Sequence, residues 1–486
     1  MIGSENGRSA DAAPSGGKGG SAPLPFGFNV IAGFSTIGLG QTARSIASAL
    51  SARGYPVSYL PLFYNTAVPV YDDIAGTRIE DPAVLPYRVN LFVNGLPDVA
   101  LVRHRSLRLQ GEAKSRGPGA HYFGPDRHVN VGVPFWELPR MPRAWAAGLE
   151  GLDYLLTATD YIAEILRGAA PGVPSCGILH PVDDPVPLAA RAKIRWRERL
   201  GIGSDAVVFV SSFDPNSYVA RKNPVAALRA FVKMLSAVPS AALLVKTQPL
   251  RYRVGPNARA YDEVSEIAAR HPRVHLVEDY LPFEEVVGLY SQGDVYVSTH
   301  RAEGLGLGLL ESMGLSVPVI ATGWSGNMSF MDESNSVPVG YRLVPVHESM
   351  RDYCGVSTYG IGDWAEVDGD ALVRAMIDLA SHPERRRALG EAARRAFVRH
   401  SQAASACEFA SVLERHCAEL SGGPERSAAG AESLARLQRE MVTEGDELRS
   451  PLDRFGRRFD RRFPWVDELS LGFNRYLPWR LRWRKE

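Results

Sequence analysis

Short apolar runs alternate with amphipathic stretches along most of this chain, and they do so in two separate series. In the first, FGFNVIAGF (26–34) precedes LGQTARSIASALSARGYPVSYLPL (39–62), whose helical pattern stops at Gly54 before a second β-rich run. VNLFVNGLP (89–97) and DYLLTATDYIAEILRGA (153–169) continue the alternation. In the second, AVVFVSSFDP, AALLVKTQP, VHLVEDYLP, DVYVSTH and PVIATGWSG read as strands, with NPVAALRAFVKMLSAVP, DEVSEIAARHP, FEEVVGLYSQG and GLLESMGLS as the helices between them. Strands alternating with helices of roughly 10–15 residues build a parallel, doubly wound sheet. The expected fold class is α/β, with two Rossmann-like doubly wound domains facing a cleft. Ligands of such folds bind at the carboxyl ends of the strands, where the domains meet.

The boundaries follow from composition. The Gly/Ser/Ala/Pro-rich residues 1–23 read as disordered. The first domain is expected over 24–183 and the second over 184–400, joined near the Pro-rich GILHPVDDPVP (177–187), where His180 reads as a hinge contact. The segment from 364 to 420 reads as strongly helical, with 401–420 expected to cross back to the first domain. Residues 421–450 read as a polar linker. The tail 451–486 carries ten Arg/Lys against five Asp/Glu and eight aromatics, with Phe455, Phe459 and Phe463 every four residues. Helical basic-aromatic stretches lie on anionic membrane surfaces; a docking helix for a partner or for the second domain is the alternative.

Composition removes several function classes. The 486 residues are 45% hydrophobic and 22% charged with a net charge of +1. This is the balance of a protein with a sizeable core and no polyanion-binding stripe, so nucleic acid is not an expected partner. The cysteines Cys176, Cys354, Cys407 and Cys417 form no CxxC pair, which fits a reducing, cytoplasmic setting. The N-terminus lacks the apolar core of a secretory signal, and no run of about 18 apolar residues reads as a transmembrane helix. The single Asp-x-Asp, Asp368-Gly-Asp370, precedes a helical stretch and reads as an N-cap. No metal and no cofactor are expected. His104, His121 and His128 carry no assigned role.

EGLGLGLLE (303–311) sets two glutamates around glycines at every second position. It lies between the strand DVYVSTH and a helix opening near Leu307. Unpaired N–H groups at a helix start carry the positive end of the dipole, and glycines let a phosphate approach them. Glu303 in the loop and Glu311 in the helix can face one ligand from different sides, and carboxylates accept hydrogen bonds from sugar hydroxyls. The alternative is a strand–helix turn with glycines for close packing. SSFDPNSYVARKNP places Arg221 and Lys222 in the loop after the first strand of the second domain.

Extended through its flanking residues to HRAEGLGLGLLESMGLSVPVIATGWSGN, this stretch resembles the glycosyl transferases group 1 family, the retaining GT4 type, with its E-x7-E and E-A-x-A-x-G-x-P-V-I-A motifs. The resemblance covers about 205–400 well and 26–183 loosely. It implies a GT-B fold in which the first domain takes the acceptor and the second the nucleotide-sugar donor. Glu311 would bind the nucleotide ribose and Glu303 the donor sugar. The backbone of Gly304, Leu305, Gly306 and Leu307 would contact sugar and phosphate, and Lys222 with Arg221 would neutralise the diphosphate. Fixed cations there lower the barrier, because the departing diphosphate gains negative charge. In the resembled branch Gly38 and Gly40 of GLGQTA form a loop facing the cleft. Glu137 of VPFWELPRMP could meet an acceptor hydroxyl; an exposed Glu beside a core Trp136 is the alternative. GLGQTA also fits a dinucleotide fingerprint, but no acid follows about 20 residues on.

The expected activity is metal-independent transfer of a sugar to a glycan or lipid-linked acceptor in cell-surface polysaccharide biosynthesis. The setting would be cytoplasmic, with peripheral attachment to the inner face of the membrane. The rivals are a nucleotide-sugar epimerase on the same scaffold, a non-catalytic sugar-binding subunit and, more remotely, a NAD-dependent oxidoreductase.

Overall fold

The structure is a computed structural model that describes residues 25–35, 38–62, 70–79, 85–95, 128–141, 149, 152–215, 217–250, 255–346, 360–405 and 410–415. The expectations for 1–23, 421–450 and 451–486, and for His104 and His121, lie outside the described residues.

Two parallel sheets form the frame. The first runs in the order β3-β2-β1-β4-β5-β6-β7. Its strands are β1 (Phe28–Ala32), β2 (Val57–Pro61), β3 (Thr77–Arg78), β4 (Val89–Gly95), β5 (Val129–Phe135), β6 (Tyr154–Thr157) and β7 (Ser175–Gly177). The second runs β10-β9-β8-β11-β12-β13. It comprises β8 (Val208–Ser212), β9 (Ala242–Thr247), β10 (Val274–Glu278), β11 (Val295–Ser298), β12 (Val319–Thr322) and β13 (Val337–Val339). Strand order reverses between β1 and β4 in one sheet and between β8 and β11 in the other. A doubly wound sheet opens a crevice at such a switch point.

Both faces of each sheet are covered, so the strands read as continuous apolar runs. In β1, Phe28, Val30 and Ala32 join the core made with helix α1 (Gly38–Ala52), while Ile31 joins the opposite core with helix α2 (Asp160–Ala169). That is the two-residue alternation of a strand. One buried polar line crosses this sheet. Ser58 Oγ donates to Asn29 Oδ1 at 2.7 Å, Asn29 Nδ2 to Asn90 Oδ1 at 2.8 Å, and Asn90 Nδ2 to Asn130 Oδ1 at 3.0 Å. These residues are direct cross-strand partners. A one-residue slip would bury every amide unpaired, so the ladder fixes the register.

The sheet arrangement departs from expectation at several strands, β3, β7 and β13 among them, and most fully in two places. The segment from 364 is not helical at its start. β14 (Tyr341–Pro345) and β15 (Asp363–Val367) form an antiparallel pair, because Trp364, Ala365 and Val367 are buried and the ladder ties Asp363 to Pro345. The second departure is β5, a strand that the sequence pattern does not announce. Helices resume with Gly369–Ser381, capped by Asp368 through its side chain to Asp370 N and Ala371 N, and with Pro383–Ser405. Helical residues 410–415 lie on the first domain. Ala410 and Leu413 belong to its core cluster, and Tyr55 donates to Glu414 at 2.9 Å. Among the described residues no helix is long and apolar enough to cross a membrane.

Candidate active site

The loops after β8 and β11, at the switch point of the second sheet, are zipped into one unit. Helix α3 (Val219–Lys222) ends at Asn223, whose left-handed φ of 50° turns the chain into α4 (Pro224–Met234). Arg301 N donates to Arg221 O at 2.7 Å, Arg301 Nη1 to Ala220 O at 2.7 Å, and Thr299 Oγ1 to Asn223 O at 2.7 Å. Arg301 also pairs with Glu366 at 2.7 Å and lies over the Trp364 ring, so β15 braces the loop from behind.

This unit brings Arg221, Lys222 and Glu303 together. Lys222 Nζ pairs with Glu303 Oε1, and Arg221 Nη1 stands 3.5 Å from Glu303 Oε2. Arg221 is 3% exposed; its Nη1 donates to Ala302 O at 2.9 Å and its Nη2 to Ser217 Oγ at 3.3 Å. Its Nη2 also lies 3.3 Å from Glu137 Oε1 of the first domain. Burial opposes ionisation of Glu303, but Lys222, Arg221 and His300 outweigh it and hold the carboxyl down at about 2. Glu303 is therefore an anion at every physiological pH. Arg221 is built into the protein, whereas Lys222 is partly open, with spare N–H donors for another anion.

Glu311, in helix α5 (Leu307–Gly314), has the opposite environment. It is 3% exposed, and Gln41 Nε2 of α1 donates to its Oε1 at 2.8 Å across the cleft. Burial pushes its carboxyl up to about 7, helped by Asp183 and opposed by Gln41 and Lys246. Lys246 stands at the end of β9 among Asp214, Asp279 and Glu311, and burial lowers its pKa. The two glutamates thus share one motif and are shifted in opposite directions.

Each glycine between them answers to a neighbour. A Cβ at Gly304 would stand 3.2 Å from Ile162 Cδ1 and 3.4 Å from Trp136 O, so the first domain closes on it; Thr159 Oγ1 donates to Gly304 O at 2.9 Å. Gly306 takes φ 92° as the residue before α5. At Gly308 a Cβ would lie 2.6 Å from the Tyr296 hydroxyl, which shares a buried cluster with Ser212 and Tyr290 at 2.7 and 2.8 Å. Leu305 is core, in a cluster with Tyr218, Trp364 and the first domain's Ile162. Leu307 faces Gly38, whose Cβ would sit 3.4 Å from Leu307 Cδ1. A helix of this length still offers its first N–H groups to an anion.

One first-domain expectation is corrected. Gly38 and Gly40 open helix α1 rather than lying in a loop. Gly40 is required because a Cβ would lie 2.0 Å from the Ser35 carbonyl oxygen, where the helix rests on the turn leaving β1. Glu137 stands 3.3 Å from Arg221 Nη2 across the cleft, with its side chain 22% exposed. Trp136 is core, its Nε1 donating to Arg140 O at 3.0 Å. His180 is fully buried at the crossover between domains, where its carbonyl accepts from His400 at 3.2 Å.

Gln41, Lys246, His300 and Ser325 join the site without a signal of their own in the sequence reading. Gln41 sits inside the GLGQTA stretch and is discoverable as a polar residue on a helix start facing the cleft. His300 precedes the motif by three residues, and only the fold shows it under Glu303. Its Nε2 bonds Asn327 Oδ1 at 3.0 Å, and its Nδ1 meets Ser298 Oγ at 2.9 Å. Burial lowers its pKa, against the opposing pull of Glu303.

Residues 205–349 match the family model described as Glycosyl transferases group 1. No curated protein sequence matches the chain. Among solved structures the chain is similar to a sucrose-phosphate synthase from Thermosynechococcus elongatus, at 15% identity and a TM-score of 0.55, over 81% of this chain and 100% of that one. It is similar to an alpha,alpha-trehalose-phosphate synthase (UDP-forming) from Burkholderia vietnamiensis at 12% identity and 0.56, over 82% and 99%. It is similar also to Anabaena Alr3699/HepE, in complex with UDP, at 11% and 0.53, over 80% and 100%. At these identities the structures establish the architecture, the two-domain GT-B fold, and the match to the group 1 glycosyl transferases is a resemblance of residues 205–349 in the second domain.

Proposed function

We propose that the protein moves a sugar from a nucleotide-sugar donor to a hydroxyl of a glycan or lipid-linked acceptor, with retention of anomeric configuration. The observation that carries this reading is the pairing of Lys222 with an ionised Glu303 at the start of α5, with Glu311 one helical turn further on. The ribose would rest on Glu311 and the donor sugar hydroxyls on Glu303. The diphosphate would lie between Lys222 and the first N–H groups of α5. Arg221 and Lys222 are formally balanced by Glu303 and Glu137. Stabilisation of the departing diphosphate therefore rests on aimed donors and the helix start more than on net charge. A leaving phosphate oxygen would assist deprotonation of the incoming hydroxyl on the same face, with the protein supplying orientation. We assign no metal or cofactor to this step. The HepE structure, similar in fold, is in complex with UDP, which supports a nucleotide-bearing donor.

We further place the enzyme on the cytoplasmic side of a membrane in cell-surface polysaccharide biosynthesis, with residues 451–486 meeting anionic lipid. The test is transfer from a panel of UDP-, GDP- and ADP-sugars to free glycans and to a lipid-linked acceptor in anionic liposomes. Product configuration is read by NMR and liposome co-flotation is read in parallel. The expected result is one preferred donor, an unchanged anomeric configuration, and flotation lost on removing 451–486. Inverted product, or hydrolysis and epimerisation without transfer, contradicts the assignment. Flotation that survives removal of the tail contradicts the membrane contact.

A further inference from the structure

The turn between β12 and β13 contains the most strained backbone near the site. Ser325 sits at φ 79° and ψ −153°, a region that essentially only glycine occupies. Its neighbours Gly323 and Gly326 are glycines, so a glycine here would be no novelty for this turn. The chain keeps a Cβ and a hydroxyl instead.

The hydroxyl has a definite task. Ser325 Oγ accepts the Glu303 N–H at 2.8 Å and donates to Asn327 Oδ1 at 3.4 Å. The next residue, Gly326, donates its N–H to Glu303 O at 2.9 Å. Both backbone polar groups of Glu303 are thus held by two consecutive residues of one turn. The approach is so close that a Cβ at Gly326 would lie 1.9 Å from Gly304 O. The turn is itself anchored, with Asn327 Nδ2 donating to Thr322 O at 3.1 Å and His300 bonding Asn327 Oδ1 from below.

We propose that Ser325 is a positioning residue: its hydroxyl fixes the backbone of Glu303, and through it the carboxylate against Lys222. The strained conformation persists because the hydrogen bond requires it. The kinetic consequence rests on the donor-binding role proposed above for Glu303; the structural consequence does not.

Ser325→Gly relaxes the backbone and removes the hydroxyl, while Ser325→Ala keeps the Cβ and removes the hydroxyl. Both are expected to lower kcat by about 10- to 100-fold, since small misplacements of a reacting-site group cost that much. The KM for the nucleotide-sugar should move less than about twofold, as for an interaction used chiefly in the transition state. Ser325→Gly is expected to melt at or above the wild-type temperature and Ser325→Ala below it, so the loss of turnover does not follow stability. The second measurement needs no donor. The stability coupling between Lys222→Met and Glu303→Gln, from a double-mutant cycle at pH 7, should shrink in the Ser325→Gly background. Wild-type kcat in Ser325→Gly, or an unchanged coupling, overturns the proposal. If the wild-type protein turns over no nucleotide-sugar, the proposed function fails, and the coupling alone decides the role of Ser325.

Discussion

Glu311→Gln is expected to raise the melting temperature at pH 8 by a few degrees while weakening nucleotide binding by about 10- to 100-fold, the range of hydrogen bonds made by a charged group. The reason is the burial that lifts the Glu311 carboxyl from 4.5 to about 7. A glutamate whose folded pKa is raised binds more protons folded than unfolded between those two values. Stability therefore falls as pH rises from 4.5 through about 7, and the penalty is complete above it. At 1.36 kcal/mol per unit the penalty is on the order of 3 kcal/mol. Glutamine is neutral, keeps an oxygen for Gln41, and escapes most of it. The gain should be large at pH 8 and absent or reversed at pH 5. In the wild type, donor affinity should rise between pH 6 and 8 as the carboxylate forms. Differential scanning fluorimetry at the two pH values and nucleotide titration check both halves. A lower melting temperature for the variant at pH 8 would refute the electrostatic explanation.

Its partner in the motif behaves in the opposite sense. The Glu303 carboxyl falls from 4.5 to about 2, burial being outweighed by Lys222, Arg221 and His300. Its contribution is complete above pH 4.5 and is lost as pH falls toward 2. Glu303→Gln leaves the buried Arg221 and Lys222 short of an anion, and is expected to destabilise at pH 7 by about 3–5 kcal/mol. The difference from wild type should narrow as pH falls below 4.5 and close only near pH 2. Lys222→Met leaves Glu303 its contact with Arg221, so its stability loss should be smaller. Its kcat should nonetheless drop by about 10²- to 10³-fold, the scale for removing one donor to developing negative charge. Denaturation from pH 3 to 8 and steady-state kinetics separate the two. Near-normal turnover of Lys222→Met would remove that residue from the chemistry.

Much of this arrangement is legible in the sequence, because strand–helix alternation is a local signal. The second sheet tracks the residue runs closely, since its strands are apolar throughout and its helices carry one apolar face. β15 escapes a local reading because DWAEV precedes a long helical pattern, and its strand identity depends on β14, which lies across an intervening segment. The glycines of GLGQTA suggest a loop, yet Gly40 is there so that a helix can rest on the Ser35 carbonyl. The two motif glutamates are legible as a pair, but not their opposite pKa shifts. The upward shift comes from the burial of Glu311 against the first domain, where Gln41 reaches it across 270 residues, and the downward one from Lys222 and Arg221 beside Glu303. The alternating glycines of 303–311 have local grounds of their own: contact with the first domain, a left-handed turn and a buried tyrosine hydroxyl. Ser325 is silent in the sequence, for its meaning lies in a backbone angle.

The most direct measurement is a crystal structure of the protein with a nucleoside diphosphate. The diphosphate is expected between the Lys222 ammonium and the first N–H groups of α5, with the ribose on Glu311 in place of Gln41. A nucleotide lodged elsewhere, or a Gln41–Glu311 contact left intact beside a bound nucleotide, would contradict the proposed donor site.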